Sequence, residues 1–226
     1  LVGVPALSPT AARATAAPFV PVAVGPYREG VIGRPVSISP LTARSQADRD
    51  LVALIFSGLV RNGPGGTLVP DLAQRWSVDA AGKVWTFTLR EDATWHDGEP
   101  VTAEDVAFTI RTLQDAAYMG PSAGSWSEVQ VRAIDDRTVS FTLTTPLGGF
   151  LQAATQPIVP AHLLESIPVT ALADHPFGTQ PVGSGPFALA ELTDTSATLV
   201  PVSPVADEIS PAPSGDSTCS STHWQP

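Results

Sequence analysis

The sequence predicts an α/β protein built from small units, and three observations support this. Helix-like apolar spacing alternates along the chain with strand-like alternation. Clusters of Gly, Pro, Asn and Asp separate these segments. Hydrophobic residues make up 43% of the 226 residues and charged residues only 15%. That composition is typical of a chain that folds around a sizeable core, as one large domain or two small ones.

Charge and composition exclude several classes of function. The net charge of −10 disfavours nucleic acid as a partner, because its phosphates would be repelled. Cys219 is the only cysteine, so neither an internal disulfide nor a cysteine-based metal cage can form. No stretch reaches the roughly 18 apolar residues of a membrane span. Residues 1–25 are rich in Pro, Ala and Thr, and we expect them to form an extended linker.

The first elements follow that linker. The stretch YREGVIG predicts a short strand. SQADRDLVALIFSGLV predicts a helix with Ser45 as N-cap and Asp48 completing a capping box. PDLAQRW, with Pro70 near its start, predicts a second, short helix. Residues 76–78 and 84–89 flank a DAAGK turn, so they predict a β-hairpin.

The stretch WHDGEPVTAEDV indicates a turn followed by the start of a helix. Asp97-Gly98 is turn chemistry, because glycine adopts positive φ without strain. Thr102 is placed as an N-cap, with Asp105 completing its capping box. His96 and Asp97 are neighbours on an extended segment, where successive side chains point to opposite sides. They are therefore not expected to form a catalytic pair.

Three further units complete the chain. EVQVRAIDDRTVSFTL predicts a second hairpin, and PAHLLES predicts a short helix. PVGSGPFALAEL and SATLVPV predict a glycine-rich loop followed by two strands. From Ser203 the apolar periodicity is lost and Pro, Ser, Asp and Thr dominate. Residues 203–226 are therefore predicted to be a disordered tail.

The sequence predicts no catalytic site, metal site or cofactor. Ser184 lies in a Gly-Ser-Gly run without the Gly-x-Ser-x-Gly spacing of a nucleophile elbow. The same run lacks the Gly-Lys-Ser/Thr ending of a phosphate loop, and the four histidines lack H-x-x-x-H spacing. Trp76, Trp85 and Trp95 are predicted to be core residues. Trp126 lies in a Gly-Ser loop and is a candidate either for the core or for contact with a ligand.

These segments, in this order, resemble family 5 of the extracellular solute-binding proteins, the peptide- and nickel-type binding proteins of ABC importers. The resemblance covers about residues 27–202. It rests on Pro-Asp-Leu-Ala at 70–73, Trp-x-Phe-x-Leu-Arg at 85–90, Trp-His-Asp-Gly at 95–98 and Gly-Ser-Gly-Pro-Phe at 183–187.

The resemblance implies an α/β fold: a type II periplasmic-binding-protein-like lobe with an inserted α+β subdomain. It comes from a clamshell whose second lobe is missing here. Residues 26–58 and 156–202 would form the first lobe and residues 59–155 the inserted subdomain. Family members are much longer than this chain, so we expect either a fragment or a truncated gene product.

The resemblance also implies a function. The chain would be the truncated substrate-binding component of an ABC importer, capturing peptides or similar small solutes non-covalently and working with the importer's membrane subunits. We expect a monomeric, non-enzymatic protein that is periplasmic or at the cell surface, anchored through a segment preceding Leu1. The alternative is a truncated interaction or structural module of the same fold that encloses no ligand.

The ligand contacts implied by the resemblance fall in three places. One wall is the first strand and the loop after Ser-Pro-Leu, with Thr42, Arg44 and Ser45, although Ser45 has the competing role of N-cap. Trp126 falls where some members place an aromatic ring in the cleft. Gln156 lies near the crossing back to the first lobe, where nickel-type members have an arginine. That difference favours peptides over nickel chelates.

Overall fold

The computed structural model describes residues 28–202 and 221–225. The predicted linker 1–25 and most of the predicted tail lie outside these residues. The strands of the described part are β1 (Arg28–Ile32), β2 (Val60–Asn62), β3 (Leu68–Pro70), β4 (Ala73–Val78), β5 (Val84–Leu89), β6 (Val129–Asp135), β7 (Thr138–Leu143), β8 (Phe187–Leu192), β9 (Ser196–Pro201) and β10 (Ser221–Gln225). The α-helices are α1 (Gln46–Ile55), α2 (Ala103–Gln114), α3 (Phe150–Ala153) and α4 (Ala161–Leu164). None of these helices is long and apolar enough to span a bilayer.

The strands form three sheets, ordered β1-β10-β9-β8, β2-β3 and β4-β5-β7-β6. In the first sheet β1 and β10 are parallel, while β10–β9 and β9–β8 are antiparallel. Strands β1, β10 and β8 therefore run in the same direction. Their carboxyl ends meet at one edge of the sheet.

Strand β10 corrects one prediction. Residues 221–225 fall within the predicted disordered tail, yet they form a strand between β1 and β9. The physical reason is that ladder hydrogen bonds use only backbone groups, so a segment without apolar periodicity can fill a gap between two strands. In the described part of the chain, β10 is the strand through which β1 joins its sheet.

Both predicted capping boxes are present. At the start of α1, the Ser45 hydroxyl accepts a hydrogen bond from the Asp48 backbone N–H at 3.0 Å, and the Asp48 carboxylate accepts one from the Ser45 N–H at 2.9 Å. Thr102 and Asp105 make the equivalent pair at the start of α2. Helix α2 ends at Gln114, as predicted from its apolar stripe.

The predicted helix in PDLAQRW is wrong, because this segment is extended. Strand β3 ends at Pro70 and β4 begins at Ala73. The backbone N–H groups of Leu72 and Ala73 donate to the carbonyl oxygens of Gly58 and Leu59, at 3.0 and 2.9 Å. These bonds join the segment to the chain that leaves α1, so they replace the local bonds that a helix would need.

The predicted hairpins are confirmed and form the sheet β4-β5-β7-β6. Its inner face carries the fully buried side chains Phe87, Val139 and Phe141, and the sheet packs against α2. Aromatic rings extend this packing: the Phe141 and Phe150 ring centroids are 5.4 Å apart. The buried apolar side chains of both larger sheets belong to one continuous core cluster.

Candidate functional site

A groove of about 850 Å³ opens at the edge where β1, β10 and β8 end. Ligands of open α/β sheets bind in crevices outside the carboxyl ends of the strands. We call this the edge groove. Its lining comes from the segment after β1, from the loop before the Gly-Ser-Gly run and from the end of β8 with the turn after it: Arg34, Pro35, Val36, Thr179, Gln180, Pro181 and residues 189–194.

The edge groove combines one apolar surface with several polar groups. Val36 is 78% exposed, and Thr179 and Gln180 supply neutral polar atoms. The guanidinium of Arg34 forms an ion pair with the carboxylate of Asp194. An exposed apolar side chain beside groups of both charges is suited to a small amphipathic or charged solute.

The edge groove is not among the sites that the sequence predicts. The segment GRPV follows the first predicted strand, and its position at a strand end was the available signal. However, the groove also needs the end of β8 at the same edge of the sheet as the end of β1. That arrangement depends on the strand order β1-β10-β9-β8, in which two further strands lie between them.

Asp48 holds the segment that leads from β1 into α1. One carboxylate oxygen accepts hydrogen bonds from the N–H groups of Val36 and Ser37, at 2.7 and 3.3 Å. The other accepts from the N–H groups of Arg44 and Ser45, at 3.1 and 2.9 Å. Burial acts to raise the pKa of Asp48, but these donors outweigh it and the pKa lies below its usual value. The carboxylate thereby fixes the backbone that presents Val36 to the edge groove.

Thr42, Arg44 and Ser45 lie together, but they do not line the edge groove. The Thr42 hydroxyl is 2.5 Å from that of Ser37, and Thr42 is half-buried. Arg44 is exposed and donates from Nη2 to the Met119 carbonyl at 2.9 Å. The Ser45 hydroxyl is occupied by the cap of α1. A ligand-binding role for these three residues stays a prediction.

Trp126 is buried in this structure, which matches the core alternative of the two predicted for it; a contact with ligand stays a prediction. The residue is 4% exposed, and its ring centroid lies 5.9 Å from those of Phe141 and Phe150. The Gln114 side chain donates to the Trp126 carbonyl at 2.7 Å, which holds the loop against α2. Trp126 and the half-buried Gln156 line one small apolar void, so the structure brings these two predicted residues together away from the edge groove.

The Trp-His-Asp-Gly turn binds the Gly-Ser-Gly run through His96. The His96 backbone N–H donates to the Gly183 carbonyl at 2.8 Å, and Nδ1 accepts from the Gly183 N–H at 3.2 Å. This leaves the proton on Nε2, which donates to the Gly185 carbonyl at 3.0 Å. Burial lowers the pKa of His96, although the Gly185 carbonyl and the nearby Asp97 carboxylate oppose that shift. The ring is thus neutral and engaged on both nitrogens.

The glycines of this run are required by close approach to the end of α1. A Cβ atom on Gly183 would lie 1.9 Å from the Ile55 carbonyl oxygen, and the Gly185 N–H donates to the same oxygen at 2.8 Å. The Ser184 hydroxyl is 3.4 Å from the Ser57 N–H, which donates to it. The run is therefore a packed contact between segments.

The acidic residues of the WHDGEPVTAEDV stretch also have structural partners. Asp105 accepts from the Trp95 indole N–H at 3.3 Å and from the Ala161 N–H at 2.7 Å, in addition to its cap. Asp97 pairs with the His162 ring at 2.9 Å. Within the described residues, no cluster of three or more His, Cys, Asp or Glu side chains is arranged to hold a metal ion.

Comparison with known proteins shows which family the chain is similar to. Residues 67–202 match the family model described as bacterial extracellular solute-binding proteins, family 5 Middle. The chain belongs to this family. As a family 5 protein, it has a periplasmic-binding-protein-like fold, which its similarity to solved structures supports. NikZ from Campylobacter jejuni, solved in complex with Ni(L-His), aligns with a TM-score of 0.74 and 25% identity, covering 88% of this chain and 38% of NikZ.

Two curated relatives of this family 5 protein give the scale of the match. It is 37% identical over 163 residues to Protein XP55 of Streptomyces lividans, covering 71% of this chain and 29% of the relative. It is 31% identical over 176 residues to the dipeptide-binding protein DppE of Bacillus subtilis, covering 70% of this chain and 32% of DppE. The chain therefore spans less than a third of the length of these relatives.

Proposed function

We propose that this chain forms part of the substrate-binding component of an ABC importer, and that the edge groove contacts the captured solute. The observation that most supports this proposal is the position of the groove, which opens at the edge of the sheet where the carboxyl ends of β1, β10 and β8 lie. Its lining comes from residues 34–36, in the proposed first-lobe segment 26–58, and from residues 179–181 and 189–194, in the proposed first-lobe segment 156–202. Residues 59–155 are the proposed inserted subdomain.

The proposed ligands are peptides or similar small solutes, bound without covalent chemistry. The groove volume of about 850 Å³ falls within the range of about 300–1,000 Å³ typical of small-molecule sites. Capture rather than catalysis is supported by the engagement of His96 and Ser184 in contacts with backbone groups. DppE, a relative, carries the description dipeptide-binding protein.

The proposed setting is outside the cytoplasmic membrane, with the chain monomeric and the importer's membrane subunits as partners. The family description, extracellular solute-binding proteins, supports the location. Thr42 and Arg44 remain proposed as a second contact region, because Arg44 is exposed beside the exposed Met119. Ser45 would act there only through its backbone or remaining exposed atoms. Gln156 remains proposed as a contact at its own position beside Trp126.

Peptide titration followed by NMR tests the proposal on the whole 226-residue chain. Di- to pentapeptides are added into the millimolar range, because a groove without a facing lobe encloses little of the ligand. We expect saturable shifts of the backbone amide signals of the groove residues other than proline, which are Arg34, Val36, Thr179, Gln180 and residues 189–194. Val36→Asp should weaken these shifts, whereas Leu147→Asp, which changes an exposed apolar residue outside the groove, should not.

Two outcomes would contradict the proposal. The first is a titration in which no peptide shifts any signal of the groove. The second is equal weakening of binding by Val36→Asp and Leu147→Asp, which would indicate nonspecific association. Either would favour the alternative, an interaction module of the same fold without an enclosed ligand.

A further inference from the structure

Strand β10 lies in the interior of the first sheet, with a neighbouring strand on each side. Residues 221–225 run parallel to residues 28–32 of β1, and residues 221–223 run antiparallel to residues 196–198 of β9. The backbone groups of such a strand form hydrogen bonds with both neighbours. We call the space between β1 and β9 that β10 fills the strand slot. Its two sides pair with a backbone rather than with particular side chains.

The connection between β9 and β10 is much longer than their neighbouring positions require. Antiparallel strands that lie side by side are commonly joined by about 2–5 residues. Here residues 203–220 come between β9, which ends at Pro201, and β10, which begins at Ser221. Docking of β10 is therefore a separate association of a tethered segment with its site. A tethered segment competes for its site with an effective concentration of about millimolar.

Both walls of the strand slot are held by contacts that do not involve β10. Strand β9 pairs with β8 along most of its length, and its Leu199 side chain is fully buried. The chain that follows β1 is anchored where the Val36 N–H donates to Asp48 at 2.7 Å. It is anchored again where the Ile38 N–H donates to the Gly178 carbonyl at 2.7 Å. Release of β10 would thus leave two strand edges with unpaired backbone groups, and such edges are templates for the addition of another strand.

We propose that the strand slot binds extended peptide segments of other proteins, and that β10 is an intramolecular occupant that such a segment displaces. The bound segment would run parallel to β1 and antiparallel to β9, as β10 does. It would need a run as long as β10 in which each residue supplies a backbone N–H, so a proline within the run is excluded. The proposal goes beyond solute capture, because neither β9 nor β10 contributes to the lining described for the edge groove.

Competition with β10 sets the affinity of the strand slot. An external segment can bind only to those molecules in which the slot is vacant, so its apparent Kd is raised by the inverse of the vacant fraction. Disabling β10 while keeping both walls should therefore strengthen binding. If the slot is vacant in at most about a tenth of the molecules, release of β10 lowers the Kd at least about tenfold.

A proline substitution in β10 of the whole chain tests the strand slot. His223→Pro removes one backbone N–H from the middle of β10 and disrupts its pairing. His223→Ala is the matched control, because it changes the same side chain and keeps the N–H. A fluorescein-labelled peptide of residues 220–225 is titrated against both variants and the unmodified chain, and its fluorescence anisotropy is followed. We expect saturable binding to His223→Pro, with a Kd at least about tenfold lower than for the other two chains. The same peptide carrying His223→Pro should show no binding.

A folded His223→Pro chain that does not bind the peptide would overturn the proposal. Equal affinity for all three chains would also overturn it, because the peptide would then bind elsewhere. If circular dichroism shows that His223→Pro is unfolded, amide hydrogen exchange of the unmodified chain decides. Amides of residues 222–225 that exchange at least about tenfold faster than that of Leu199 would support a strand that leaves the sheet without global unfolding, whereas equal rates would overturn it. The peptide titration of the edge groove is independent of these results, so the proposed function stands or fails separately.

Discussion

Removing the Asp48 carboxylate tests whether this group organises the groove-facing segment. Asp48 is 1% exposed, and Asp48→Ala leaves the N–H groups of Val36, Ser37, Arg44 and Ser45 without their acceptor. Water can reach some of these donors, because Val36 and Arg44 are exposed residues. Water cannot reach the backbone N–H of the buried Ser37, so this donor would be left without an acceptor.

The expected cost follows from these contacts. Each buried donor left without a partner costs about 1–3 kcal/mol. Loss of the capping box of α1 costs about 0.5–2 kcal/mol more. With one or two donors fully orphaned, we expect Asp48→Ala to lower the free energy of unfolding by about 3–5 kcal/mol. At about 2–4 °C per kcal/mol, Tm falls by about 6–20 °C.

Urea unfolding followed by tryptophan fluorescence measures this loss. Asp50→Ala is the matched control, since Asp50 is on the same helix and, among the described residues, its carboxylate hydrogen-bonds only the Gln46 side chain, at 2.6 Å. We expect the control to cost at most about 0.5 kcal/mol. A loss from Asp48→Ala below about 1 kcal/mol, or equal to that of the control, would refute this reasoning.

The pH dependence gives an independent check on Asp48. Its folded-state pKa is lowered, so its stabilisation is complete above the unfolded value of about 3.9 and is lost as pH falls through the folded value. The difference in unfolding free energy between the unmodified chain and Asp48→Asn should therefore shrink below about pH 4. A difference that grew on acidification would contradict the assigned direction of the pKa shift.

Three further changes test the core and the motif contacts. Gly183→Ala should cost about 1–3 kcal/mol in urea unfolding, because its Cβ would meet the Ile55 carbonyl oxygen; Gly148→Ala, with open space around it, should be near neutral, and equal losses would contradict the close-approach argument. The folded-state pKa of His96 is lowered, so its stabilisation is present above the unfolded value of about 6.5 and is lost as pH falls toward the folded value. Urea unfolding between neutral pH and pH near 5.5 should show less loss of stability in His96→Gln than in the unmodified chain, and parallel curves would contradict this. Trp126→Ala should lower the free energy of unfolding by about 3–5 kcal/mol in thermal or urea unfolding, because the ring is in the core. A loss below about 0.5 kcal/mol would contradict the burial of the ring.

The sequence predicted best what depends on neighbouring residues. Both capping boxes, Ser45 with Asp48 and Thr102 with Asp105, join residues three positions apart, so their pattern is visible in the sequence. The helix predicted in PDLAQRW failed because the backbone of Leu72 and Ala73 bonds to Gly58 and Leu59. Helical propensity contains no information about such pairing partners.

The candidate site was less predictable for the same reason. The position of Trp126 in a Gly-Ser loop gave no indication of the direction of its ring, which points into the core beside Phe150. The edge groove depends on residues that are far apart in the chain, such as Arg34 and Asp194. Their proximity follows from strand order, which local patterns do not specify.

The family's sequence motifs and the edge groove are made of different residues, and this has a consequence for how ligand choice can change. His96, Gly183 and Asp105 bind backbone groups of other segments, so substitutions there act on the fold. Arg34 and Asp194 lie outside these motifs, and their loop and turn are held by other groups. Under the proposed function, substitutions of these two residues should therefore alter charge complementarity to the solute while leaving stability nearly unchanged. Similarity to DppE, described as a dipeptide-binding protein, and to NikZ, solved in complex with Ni(L-His), is consistent with a scaffold specified by residues other than those that contact the ligand.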